Sequence, residues 1–117
     1  MTLEWTQGEL AEGLRCYRGR KFFMGWESVC LVTIGPPKTL LQALIQLTAA
    51  LHHIQRGNPR GAASLLRSAL QRLEPHPLLF GGIAVSSLRE EIREWLQELE
   101  TGAAQPELAV PQIRLCG

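Results

Sequence analysis

The chain has 117 residues, a net charge of +1, 45% hydrophobic and 20% charged residues, which is the length and composition of one folded domain and excludes both an intrinsically disordered chain and a second full domain. It contains no Asp, so mechanisms that need a catalytic Asp, an Asp metal ligand or the Asp-rich calcium loop are excluded. Leu occurs 20 times against 6 Ile and 4 Val, a balance that favours helices because unbranched Leu loses less rotamer freedom in them.

In chain order, Thr6-Gln7-Gly8-Glu9 has the form of a capping box and predicts a first helix, carried by Leu10, Leu14 and Tyr17 and stopped at Gly19. Residues 20–34, with Phe22, Phe23, Trp26, Val29 and Cys30, read as a second, mostly buried helix ended by Gly35-Pro36-Pro37. With Pro37 in the first turn, Thr39 to Gln55 is apolar on nearly all sides and is the expected central helix. Gly57-Asn58-Pro59 supplies a stop, an N-cap and a first helical residue in succession. The helix that follows carries a one-sided stripe of Ala62, Leu66, Ala69, Leu70 and Leu73, with Arg60, Ser64, Arg67 and Gln71 facing away. Glu74-Pro75-His76-Pro77 breaks it, and the run Leu78 to Val85 reads as an extended, partly buried connection. Ser87-Leu88-Arg89-Glu90 is a second capping box, opening a last helix that ends at Gly102. Pro106 to Gly117 reads as an extended strap over the bundle. The expected fold is all-α: a compact bundle of about five helices, two αα-hairpins plus a C-terminal helix, with no sheet larger than two short strands. One domain is expected over residues 1–117, with its core at 6–102 and an extended tail at 103–117.

Cys16, Cys30 and Cys116 are odd in number and include no Cys-x-x-Cys pair, which fits a reducing cytoplasm better than a disulfide framework or a zinc site. Met1-Thr2-Leu3-Glu4-Trp5 has neither a basic nor an apolar leader region, and Leu78 to Val85 is far short of the ~20 residues that cross a bilayer. A cytoplasmic protein without membrane contact is expected. Charge is segregated: residues 13–73 hold nine Lys/Arg and one Glu, whereas residues 74–117 hold seven Glu and three Arg. Such a basic middle is read as complemented by the chain's own Glu-rich last helix, with Arg56, Arg60, Arg67 and Arg72 on solvated helix faces, and nucleic acid is not an expected partner.

Gln42, Gln46 and His53 fall within about 40° of one another on an ideal helix, forming one polar stripe on an otherwise apolar element. Buried polar groups need partners, and Glu27, the only acid between residues 13 and 73, is the expected one if the second helix packs on the third. Glu27, Gln42, Gln46 and His53 are therefore the candidate polar site, with Trp26 as a pocket-filling side chain. A hydrogen-bonded network that sets helix register is the first reading of these residues, and a ligand site is the alternative. No residue qualifies as catalytic, one His and one carboxylate do not make a metal site, and no cofactor is implied.

The stretch Leu40-Leu41-Gln42-Ala43-Leu44-Ile45-Gln46-Leu47-Thr48-Ala49-Ala50-Leu51-His52-His53, followed by Gly57-Asn58-Pro59-Arg60-Gly61-Ala62, is similar to the signature of the bacterial and archaeal "domain of unknown function 309" family. The resemblance spans most of residues 8–99 and implies a small helical bundle without implying an activity. The family carries an aromatic-Glu-Ala-His-Glu motif on the preceding helix and a Gly-Ile/Val-Asp motif before the last one. Here Met24 stands in place of the first Glu and Trp26 in place of the His. Glu27 is retained, Cys30 replaces a further acid, and Ala84 replaces the Asp. An acid/base or metal site built on those positions is dismantled in this chain, and Ser86 or Ser87 is read as replacing the Asp as a helix cap.

The function expected is therefore that of a non-enzymatic helical-bundle binding or structural protein, with itself or another protein as partner. A degenerate small-molecule or metal site on the face bearing Glu27 and Gln46 is the alternative, and RNA or phosphate binding by the basic middle is a weaker one.

Overall fold

A computed structural model describes residues 3–22, Trp26, 33–101 and 110–115. Among them are four helices, α1 (Gly8–Arg18), α2 (Pro36–Gln55), α3 (Pro59–Leu73) and α4 (Val85–Glu100). A two-stranded antiparallel hairpin, β1 (Leu79–Phe80) and β2 (Ile83–Ala84), separates α3 from α4. The fold is mostly helical as expected, but four helices are found among the described residues where about five were expected. In the span 20–34, read from sequence as a helix, the described positions 20–22, 26 and 33–34 are turn or irregular. The other positions of that span lie outside the described residues.

The end of α1 shows why the chain does not run on as a helix at residue 20. Lys21 N–H donates to Cys16 C=O at 2.8 Å and Arg20 N–H to Tyr17 C=O at 3.0 Å, the pair of bonds that closes a Schellman stop. The left-handed residue of that motif is Arg20, at φ 61, and not Gly19, at φ −86. A side chain in this conformation costs roughly 1–2 kcal/mol, which glycine avoids. The end of α2 repeats the motif with the residue it favours: Asn58 N–H donates to His53 C=O at 2.8 Å across Gly57, at φ 74.

Both predicted capping boxes fail, each for a local reason. The first helix begins at Gly8 with Gln7 as N-cap, which leaves Thr6 one position outside the cap and puts Glu9 at the second helical position instead of the third. The last helix begins at Val85 directly from β2, so Ser87 lies inside its first turn and donates to Ala84 C=O at 3.3 Å. Neither Ser86 nor Ser87 caps it. Its free amides are served instead by tertiary contacts, since Ser86 N–H donates to Leu78 C=O and Ala84 N–H to Arg114 C=O. Asn58 does cap α3 as predicted, its Oδ1 accepting from Gly61 N–H at 3.1 Å.

Helix α2 is the centre of the molecule. Leu40, Leu41, Leu44, Leu47 and Ala50 are fully buried, because α2 packs along α3 on one side and against the N-terminal residues and the hairpin at its start. Ala62, Leu66 and Leu73 of α3 and Val85, Leu88 and Ile92 of α4 complete that core. The run Leu78 to Val85, read as an extended connection, is this hairpin; Gly81 and Gly82 sit at φ 61 and 84, the positive φ pair required by a type I′ turn. Trp5 Nε1 donates to Gly81 C=O. Of the tail, residues 110–115 run extended from α1 to the hairpin. Tyr17 Oη donates to Pro111 C=O at 2.6 Å, Arg18 donates to Ile113 C=O at 3.2 Å, and Leu115 bridges to Ile83. Burial pushes the Tyr17 phenol pKa up, with the nearby Glu91 charge adding to it, so the group stays a neutral donor.

Candidate functional site

The polar stripe of α2 faces its neighbour α3. Turning at Gly57 brings the last turn of α3 beside the second and third turns of α2, and Arg72 reaches across. Its Nε donates to Gln46 Oε1 at 3.0 Å and its Nη1 to Gln42 Oε1 at 2.8 Å, all three side chains being half-buried. Two of the five guanidinium N–H donors are thereby engaged, by neutral amide oxygens. Among the described residues no carboxylate pairs with Arg72.

The glutamines thus meet a cation on the following helix, where the sequence suggested an acid on the preceding one. Glu27 itself lies outside the described residues. Arg72 was read as a solvated residue, and that is corrected here. The available signal was its place three residues after Ala69 and directly before Leu73, at the flank of the buried stripe of α3. His53 belongs to a different contact: Asn58 Nδ2 donates to its Nδ1 at 3.1 Å while Asn58 Oδ1 caps α3. Position on one helix face aligned the three side chains, but His53 lies beside the turn into α3 and the glutamines beside the end of α3, which divides them between two partners.

Trp26 is 1% exposed and lies on Gly13 of α1, donating from Nε1 to Leu10 C=O at 3.1 Å. Trp5 meets it edge to face, with ring centroids 6.0 Å apart. One exposed pair, Arg67 with Glu100 at 3.6 Å, joins the basic middle to the last helix, and another, Arg93 with Glu74 at 3.5 Å, lies within residues 74–117, each worth under about 1 kcal/mol. Among the described residues no three His, Cys, Asp or Glu side chains gather as a metal would require. No helix among them is long and apolar enough to cross a membrane.

A further polar group missed from sequence is His76, just beyond α3. It is 8% exposed, stacks on Phe80 at 4.4 Å between ring centroids, and has no partner for Nε2. Arg89, which donates to the terminal carbonyls of Leu73 and Glu74, stands beside it. Burial first, and then the Arg89 charge, lower the His76 pKa from its ordinary 6.5. The unfolded chain therefore takes up this proton at higher pH than the folded one. Stability from His76 is complete above pH 6.5 and is lost as pH falls from there toward the lowered value, with a slope of at most about 1.4 kcal/mol per pH unit. Urea midpoints at pH 7.5 and 5.5 should differ more for the wild type than for His76→Gln, and equal differences would place the imidazole in water.

Residues 10–65 match the model of a family described as "Domain of unknown function (DUF309)", a shorter span than the 8–99 over which the resemblance was read. Comparisons with curated proteins and with solved structures find no match.

Proposed function

Residues 10–65 place this chain in the DUF309 family, and from that premise we propose that it acts by binding and not by catalysis, as a cytoplasmic module that contacts protein, in the first instance a second copy of itself. The observation that carries this reading is how the polar stripe is used: both glutamine carbonyls are spent on Arg72 and the His53 imidazole on Asn58. General acid/base work needs a titratable group within reach of a substrate proton, and these contacts serve helix register instead. Arg56 and Arg60, exposed and without an ion pair among the described residues, are assigned to a solvated surface, and the reading gives them no nucleic-acid role.

The hairpin supports a protein-binding surface. Among the described residues strand β1 has only β2 beside it and is an edge of the sheet, whereas β2 also bridges to Leu115. Leu78 and Leu79 are 62% and 63% exposed there. Neighbouring apolar side chains on a sheet edge without a guarding charge are the arrangement that pairs with another chain, and two edges of one kind pair about a twofold axis. Sedimentation equilibrium across a concentration series tests it. Reversible dimerisation is expected for the wild type and its loss in Leu79→Glu with an unchanged unfolding midpoint, because Leu79 contributes little to the core. A wild type that stays monomeric at every concentration would overturn the reading.

A further inference from the structure

Two adjoining cavities lie where the end of α1 meets residues 110–113 of the tail. The larger, about 230 Å³, is lined by Tyr17, Arg18, Arg20, Val110, Gln112 and Ile113. The smaller, about 50 Å³, shares Arg20 and Val110 with it and is closed by Phe22, Leu51, Ile54 and Trp95, with Gln55 at its side. Among the described residues neither is lined by an acidic residue, while two arginines line the larger. Arg18 is partly engaged by Ile113 C=O. The Arg20 guanidinium makes no ion pair or hydrogen bond among the described residues, although its backbone carbonyl is held by Gln55 Nε2 at 3.0 Å.

A second, independent observation concerns the same residue. Arg20 occupies the left-handed position of a helix stop, at φ 61, where glycine carries no steric penalty. Backbone strain of this kind is tolerated where the surroundings impose it, and such strain gathers at binding sites. Here the left-handed residue is shared by the two cavities, and its exposed side chain has no ion pair among the described residues.

We propose that these cavities form a binding site for a small monocarboxylate bearing a short apolar chain, anchored by the guanidinium of Arg20. The carboxylate is recognised by the charge-assisted donors of Arg20, with Arg18 adding positive potential. The apolar chain lies toward Phe22, Leu51, Ile54 and Trp95. A cation of the same shape is rejected by the two guanidinium groups, and a carboxylate without a chain forgoes the apolar contact. This site is independent of the hairpin edge.

The probe is hexanoate, with hexylamine and acetate as controls, titrated into ¹⁵N-labelled protein and followed by amide chemical shifts. Saturable shifts centred on Arg20, Gln55, Trp95 and Val110 are expected with hexanoate, and none with hexylamine. Acetate should bind at least tenfold more weakly. Arg20→Gly separates binding from folding, because glycine suits the backbone at this position: its unfolding midpoint should match or exceed that of the wild type while hexanoate affinity falls at least tenfold. Arg20→Lys should retain more affinity than Arg20→Gly. Absence of saturable shifts, shifts equally large with hexylamine, or unchanged affinity in Arg20→Gly would each overturn the proposal.

Discussion

Replacing Gly13 with alanine is expected to destabilise the protein by about 2–3 kcal/mol, the cost of forcing extra volume into a well-packed core. On propensity alone the same change inside a helix would be favourable by about 1 kcal/mol, so the sign of the result is the test. A Cβ at position 13 would lie 2.2 Å from Trp26 Nε1 and 2.5 Å from its Cδ1, well inside contact distance. The indole has little room to withdraw, being 1% exposed, bonded to Leu10 C=O and set edge to face on Trp5. Tyr17 lies on the same ring, at 6.4 Å between centroids. Urea unfolding of the two proteins measures the difference, and a gain in stability would show that the indole moves aside at little cost.

Truncating Arg72 to alanine should cost about 2 kcal/mol, and Gln46 to alanine about 1 kcal/mol, since hydrogen bonds to a charged group exceed neutral ones and a half-buried donor is left without its acceptor. Gln42→Ala should resemble Gln46→Ala, because the two oxygens sit at 2.8 and 3.0 Å from the same guanidinium. The decisive quantity is the non-additivity. In the Gln46→Ala/Arg72→Ala double variant the combined loss should fall short of the sum by about 1 kcal/mol, as for residues in direct contact. Chemical denaturation of the four proteins gives it. Additive losses below about half a kilocalorie per mole, as at ordinary surface positions, would remove the clamp and open the face to solvent.

These two experiments bear on side chains of unlike legibility. Gln42 and Gln46 were visible as a polar interruption of an apolar helix, and their demand for a partner followed from the cost of burying amides. Which group met that demand was not visible, since Glu27 and Arg72 lie on opposite sides of the helix in sequence. Gly13 gave no signal at all. A glycine inside a helical stretch is merely unfavourable by propensity, and its use appears only when Trp26, thirteen residues on, is laid against it.

What the sequence determined by itself is what local chemistry enforces. The spans of α2, α3 and α4 follow from apolar periodicity, and the joint at Gly57-Asn58-Pro59 from one residue that accepts positive φ, one that caps and one that needs no amide donor. Tertiary structure decided the rest. The start of α4 needs no side-chain cap because the hairpin and the tail satisfy the amides around it. The stop of α1 falls on Arg20 and not on its glycine neighbour because the closing bonds run from residues 20 and 21. Arg72 became the partner of the glutamines because the packing of α3 on α2 carries it across the seam. Periodicity and capping rules act over one or two turns of chain, whereas the partner of a buried amide is chosen by how whole helices rotate and cross when their apolar faces close.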